Sequence, residues 1–236
     1  MKKPNLLLLF VVAILIAGCA KEESQLFDAL VETQDGWTYL GLKPGISSKE
    51  EVSATMRAFE MFDHERESNP IFAEYSNDKG FYEEVYTYHL IPSSIYFVDF
   101  VFSADNELNK IRIRTRNLPI EDFFAVYGEP DSVIFSIHAT NRLICDLRLY
   151  YDDLQALVWV NTSGNAHRET CRVSERNELS GLSLLSEDEY PNHAVEYLSS
   201  WYIEGNPDRY IHEWNGFGKL ANLYPEYPIL LTGNRK

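Results

Sequence analysis

Histidines beside glutamates, paired acids, glycine-rich turns and three cysteines are the groups in this chain whose types and spacing could amount to chemistry. His64-Glu65 and His212-Glu213 begin like the helical zinc motif of metalloproteases. That motif needs a second His one turn on, so that two imidazoles reach one ion. Arg66-Glu67-Ser68 and Trp214-Asn215-Gly216 follow instead. Gly216-Phe217-Gly218-Lys219 lacks the preceding strand and the full spacing of a phosphate loop, so a turn is expected there, and no Gly-x-Ser-x-Gly elbow is present. Glu83-Glu84 and Asp152-Asp153 could supply the two carboxylates of a glycosidase, but in a chain with 36 acids such pairs arise by chance. Ser186-Glu187-Asp188-Glu189 reads as a solvated acidic loop, because the spacing of a calcium loop is absent. The sequence therefore nominates no catalytic residue, no metal ligand and no cofactor.

The cysteines say more. Lys2 and Lys3 make a charged start, Leu6 to Ile16 an apolar run, and Ile16-Ala17-Gly18 places small residues before Cys19. The eleven apolar residues would form a helix of about 16 Å at ~1.5 Å per residue, short of the ~30 Å that a permanent span must cross. Ile16-Ala17-Gly18-Cys19 resembles the lipobox of bacterial lipoproteins. The resemblance implies that residues 1–18 are cleaved, that Cys19 is acylated and that several acyl chains hold the mature protein on a membrane without crossing it. Ala20, which is not Asp, is compatible with outer-membrane delivery in a host that has one; otherwise the anchor is the cell membrane. With Cys19 consumed, Cys145 and Cys171 remain in a non-cytosolic compartment, and a disulfide between them is expected. Two buried free thiols, or a zinc site using His138 and His167, are the alternatives.

Composition bounds the partners. The chain carries a formal charge of -15, and loss of Lys2 and Lys3 makes it more acidic still. Its Lys and Arg are scattered along the sequence, so no nucleic acid partner is expected and the acyl chains are the membrane contact. Thirteen Phe, fifteen Tyr and four Trp supply ample area for a core.

Ala20 to Gln34 opens polar and reads as a tether, so 19–36 is expected to be lipidated Cys and linker, with the folded body starting near Trp37. Gly41, Pro44 and Gly45 break the chain, Ser47 or Ser48 can cap, and Glu50 or Glu51 stands three residues on as in a capping box. Val52, Met56 and Phe59 then share a helical face. A loop is expected from Asn69-Pro70 to Lys79-Gly80. Three strands should follow: Tyr82 to Leu90, Ile95 to Phe102 and Leu108 to Thr115. The order then repeats. Ile120, Phe123, Phe124 and Tyr127 form a second helical face stopped by Gly128, before strands at Ser132 to Ile137, Arg142 to Tyr151 and Leu154 to Val160. The fold expected is α+β: two consecutive α-β-β-β units, 37–116 and 117–162, each an antiparallel meander carrying its helix on one face. Residues 163–236 would add a polar connector, a short strand at Leu182 to Leu185, a helix at Tyr190 to Tyr202 and an irregular aromatic segment on the same body.

Gly45-Ile46-Ser47 through Val52, and Tyr127-Gly128-Glu129-Pro130, resemble elements of small lipoproteins of the BamE/SmpA outer-membrane-assembly type. The tandem arrangement also resembles the β-lactamase inhibitor protein fold. The first helix departs from the pattern, running into Met61-Phe62-Asp63 without Gly-x-Pro, and the match carries fold without activity. The functional expectation is a membrane-anchored extracytoplasmic interaction or structural module of the cell envelope, with a possible envelope protein as partner. Its contact surface would be Trp201, Tyr210, Trp214 and Phe217 if exposed; otherwise those rings anchor the tail on the sheets. An extracytoplasmic hydrolase or small-ligand binder with a carboxylate-lined cleft is the alternative.

Overall fold

The computed structural model describes residues 27–60, 62, 73–76, 82–90, 95–103, 105–139, 143–162, 171–199, 207–225 and 230–232. Cys19, Trp201, His167 and His64-Glu65 lie outside them. The folded body includes residues N-terminal to Trp37. Phe27 packs against Phe123 and Tyr127, and a hairpin of β1 (Leu30–Thr33) and β2 (Gly36–Tyr39) buries Ala29, Leu30 and Tyr39. Phe27 and Leu30, which fall in the stretch expected to be tether, instead belong to the body.

The first helix, α1 (Lys49–Ala58), forms where the cap signals fall. Ser48 is the cap: Glu51 N–H donates to its Oγ at 3.2 Å while its own N–H donates to the Glu51 carboxylate at 2.8 Å, and Val52 and Met56 are buried beneath. The strands β3 (Ala73–Ser76), β4 (Tyr82–His89), β5 (Ile95–Phe102) and β6 (Leu108–Thr115) follow as an antiparallel meander. β3 lies inside the stretch expected to be loop, because turn residues on both sides hide its four residues. The second helix, α2 (Ile120–Tyr127), has no side-chain cap. Backbone carbonyls of Asn177 and Glu175 take the N–H groups of Ile120 and Glu121 instead, and Gly128 ends the helix at φ 79°. A second meander, β7 (Ser132–Ala139), β8 (Leu143–Tyr151) and β9 (Ala156–Thr162), comes next.

The two meanders are one sheet. After the short β10 (Arg172–Val173), β11 (Glu178–Leu185) inserts antiparallel between β9 and β6, closing a ten-stranded sheet. The Leu182-to-Leu185 strand expected in a peripheral segment is thus the end of an eight-residue central strand. Beyond it lie α3 (Tyr190–Ser199), a 3-10 turn (Pro207–Tyr210), β12 (His212–Glu213), β13 (Gly218–Lys219), α4 (Leu220–Leu223) and β14 (Leu230–Thr232). β12 and β14 both pair with β7, while β13 pairs with β10. Among the described residues no helix is long and apolar enough to cross a membrane.

Period-two alternation sorts the side chains onto two faces. Val98, Phe100, Ile111, Ile113, Leu147, Leu149, Val158, Val160, Leu182 and Leu184 form the main core with α1, α2, the hairpin and α4. The opposite face carries a smaller cluster in which Leu198, Ala194 and Tyr197 of α3 cover Ile134, Tyr150 and Leu157.

Gly181 marks the seam, at the register shift between Leu179 and Gly181. A Cβ there would lie 2.6 Å from the Ile113 carbonyl oxygen and 3.2 Å from the Trp159 ring. The nearest obstacle is backbone of the neighbouring strand, so Gly181→Ala is expected to lower the unfolding free energy by about 1–3 kcal/mol, as overpacking does. Urea unfolding checks this; an unchanged midpoint would mean that β6 and β11 separate at no cost.

Candidate functional site

The residues singled out by their chemistry do not converge. Asp152 accepts the Tyr190 hydroxyl at 2.7 Å, and burial, followed by this bond, pushes the Tyr190 phenol well above its ordinary range. Glu84 pairs with Lys49, whose ammonium also lies 5.5 Å from the centre of the Phe102 ring. His212 is buried and stacked on Phe135, while Glu213 is exposed. Among the described residues no group of three or more His, Cys, Asp or Glu could hold a metal ion. Cys145 and Cys171 form the expected bridge, their Cα atoms 6.3 Å apart and both side chains buried, so neither is a zinc ligand.

The tail aromatics face inward. Trp214 and Phe217 lie 5.6 Å from Phe124 of α2 and 5.5 Å from each other, and Tyr210 packs with the cluster under α3. All three are half-buried, and the exposed large apolar side chains among the described residues are Val31, Ile46, Val126 and Val195. These rings hold the tail on the body, which is the second of the two expectations for them.

What the sheet does gather is positive charge. On the face that carries α3, Lys110, Arg112 and Arg114 alternate with the core residues of β6, and Arg148 stands on β8. Lys110, Arg112 and Arg114 share one phase of β6, and the pairing of β11 with β6 and β9 brings Arg148 onto the same surface. One register row runs Phe97, Arg114, Gly181, Trp159, Arg148, Ile134 across six adjacent strands.

Within that row the guanidinium of Arg114 reaches over the missing side chain of Gly181 to sit 4.9 Å from the Trp159 ring centre. The Arg148 guanidinium lies 3.7 Å from the centre of the Tyr197 ring of α3. Among the described residues neither arginine makes an ion pair or a hydrogen bond. The Nε–H of each, and the Trp159 indole N–H, are buried without an acceptor. Asp146 shares a face of β8 with Arg148. Lys110 differs, meeting the Glu189 carboxylate at 3.2 Å.

His193 of α3 registers the field of this surface. Burial, and then the positive charges of Lys110, Arg148 and Arg112, lower its pKa to about 3, so the imidazole stays neutral 3.5 Å from the Tyr150 hydroxyl. The sequence offers one signal for the site: Arg112, Arg114 and Arg148 occupy the polar phase of strands whose other phase is core.

The arrangement is that of an α+β protein built on a mixed but almost wholly antiparallel sheet. The chain matches no protein-family model, no curated protein and no solved structure with which it was compared.

Proposed function

We propose that this chain is a lipid-anchored protein of a bacterial cell envelope, held on the extracytoplasmic side, whose folded body works by binding as an interaction or structural module. The observation that carries the reading is the row of Arg114, Trp159 and Arg148 with Tyr197 above it. Arg, Trp and Tyr are the residues that most often concentrate binding energy at interfaces, where they sit pre-positioned by neighbours. Location is supported by the leader and by the disulfide. A bond between Cys145 and Cys171 persists where the surroundings are oxidising, and it leaves Cys19 as the remaining one of three cysteines. In the same reading the chain is built from two α-β-β-β units, 37–116 and 117–162, joined by β11, the arrangement that the likeness to the β-lactamase inhibitor protein fold implies. The anchor is the outer membrane in a host that has one.

Two measurements test this. Mass spectrometry of protein extracted from host membranes is expected to show a chain that starts at an acylated Cys19. A Cys19→Ala form that stays in the membrane fraction with unchanged mass would overturn the anchor. Affinity capture from detergent-solubilised host membranes is expected to retain an envelope partner that Arg148→Gln releases. Turnover of a hydrolase substrate, abolished by changing a carboxylate or His, would overturn the binding reading.

A further inference from the structure

We infer that Asn215 is a modification site of this chain: its carboxamide is lost by cyclisation onto the main-chain nitrogen of Gly216, and the carboxylate left behind loosens the aromatic tail from the body. The inference stands apart from the binding reading above and needs no partner.

Asn215 and Gly216 lie in the turn between β12 and β13. Cyclisation requires an accessible carboxamide, a main-chain amide free to attack it and room for a five-membered ring, and this turn supplies all three. Asn215 is exposed, and the one hydrogen bond of its side chain among the described residues is long, Nδ2 donating to the Leu223 carbonyl at 3.4 Å. The Gly216 N–H donates to no group among the described residues. Gly216 has φ 84°, and a Cβ built on it would meet nothing within 4 Å, so the space beside its nitrogen is open. Asp35-Gly36 makes the contrast. Its carboxylate is the poorer electrophile, Gly36 is the ladder partner of Thr33 in the hairpin, and the Lys43 ammonium stands 3.2 Å from where a Cβ would be.

The step balances with water alone. The Gly216 nitrogen forms a bond to the side-chain carbonyl carbon of Asn215, the bond from that carbon to Nδ2 breaks, and ammonia leaves with the amide proton. Water then opens the ring. Hydrolysis at the side-chain carbon leaves aspartate at position 215, and hydrolysis at the main-chain carbon leaves isoaspartate, whose chain runs through the former side-chain methylene.

The tail depends on this turn. The Asn215 N–H donates to the Tyr224 hydroxyl at 2.9 Å, and that phenol, its side chain buried, donates to the Glu213 carbonyl at 3.1 Å. Either product puts a carboxylate where an amide donated to the Leu223 carbonyl, so an attraction becomes a repulsion. Trp214 and Phe217, the rings that pack on Phe124, flank the modified bond. Isoaspartate adds one atom to the main chain between them, which shifts one ring relative to the other.

Folded full-length protein in neutral detergent micelles is incubated at mildly alkaline and at mildly acidic pH, and peptide mass spectrometry with fragmentation follows each asparagine. Asn106 and Asn117 are the internal standards, since both are exposed at positive φ but precede Glu107 and Leu118 in place of a glycine. Asn215 is expected to convert at least tenfold faster than either, to give both aspartate and isoaspartate, and to convert faster at alkaline pH, where the amide nitrogen is the better nucleophile. Asn215→Gln, which keeps an amide but would need a larger ring, is expected to stay unconverted. Hydrogen exchange of the amides from Glu213 to Tyr224 is expected to be faster in converted protein and in fresh Asn215→Asp than in fresh wild type. Conversion at Asn215 no faster than at Asn106 and Asn117, or converted protein whose tail amides exchange as slowly as before, overturns the inference.

Discussion

Removing the Cys145–Cys171 bridge is expected to lower the unfolding free energy by about 3 kcal/mol, the chain-entropy value for a closed loop of this size. The bridge joins residues 26 apart. Its position makes that constraint matter for the tertiary fold. Cys145 lies in β8, on the core face, while Cys171 directly precedes β10, the strand that pairs with β13. The carbonyl of Cys171 also accepts the N–H of Leu220 at the start of α4. The bond therefore ties the C-terminal segment to the large sheet, together with Thr162, whose hydroxyl donates to the Cys145 carbonyl at 2.8 Å. Cys145→Ala/Cys171→Ala is the right variant, because a single change leaves a lone buried thiol. Guanidinium unfolding of the double variant, and of wild type with and without reductant, measures the effect. Coincident transitions for oxidised and reduced protein would show that the bond adds nothing.

The sequence reveals some elements of this fold and conceals others, for physical reasons that differ by element. β5, β6 and β8 are readable because one phase of each is core and the other is polar, as in Leu147 and Leu149 against Asp146 and Arg148. α1 is readable because capping is local chemistry, fulfilled by Ser48 and Glu51. β11 is concealed because Ser180 and Gly181 interrupt its alternation at the bulge. A glycine that reads as a breaker is there to admit the Trp159 and Arg114 side chains. The hairpin at Leu30 to Tyr39 is concealed because its turn, Gln34-Asp35, follows a stretch of polar tether. The candidate site is concealed for a stronger reason. Arg114 and Arg148 fall on one register row only through β11, so their alignment is a property of long-range strand pairing. The aromatic tail misleads in the opposite direction, since Trp214 and Phe217 look like a contact surface until Phe124 is placed beneath them.

Phe123→Ala should have the largest effect of any single substitution considered, a loss of about 3–5 kcal/mol, as expected when a fully buried Phe is truncated where neighbours cannot collapse. Phe123 is 1% exposed and sits in the first turns of α2. Its ring centre is 4.5 Å from that of Tyr127, 5.5 Å from Tyr151 of β8 and 6.4 Å from Phe27. Each of these neighbours is fixed from elsewhere. The Tyr151 hydroxyl donates to the Gly128 carbonyl at 3.2 Å, Tyr127 is packed edge-on against Trp37 of the hairpin, and Phe27 leads into that hairpin. The void would thus be walled by a helix, a sheet and the N-terminal hairpin, none of which can move inward without losing contacts of its own. Phe123→Leu, which keeps most of the volume, should lose well under half as much. A double-mutant cycle with Phe27→Ala is expected to show coupling, since the two rings share the same cluster. Equilibrium unfolding with an unchanged denaturant slope is the measurement. A loss below about 1 kcal/mol in Phe123→Ala would mean that α2 and the hairpin pack as independent units, and the main core would have to be divided.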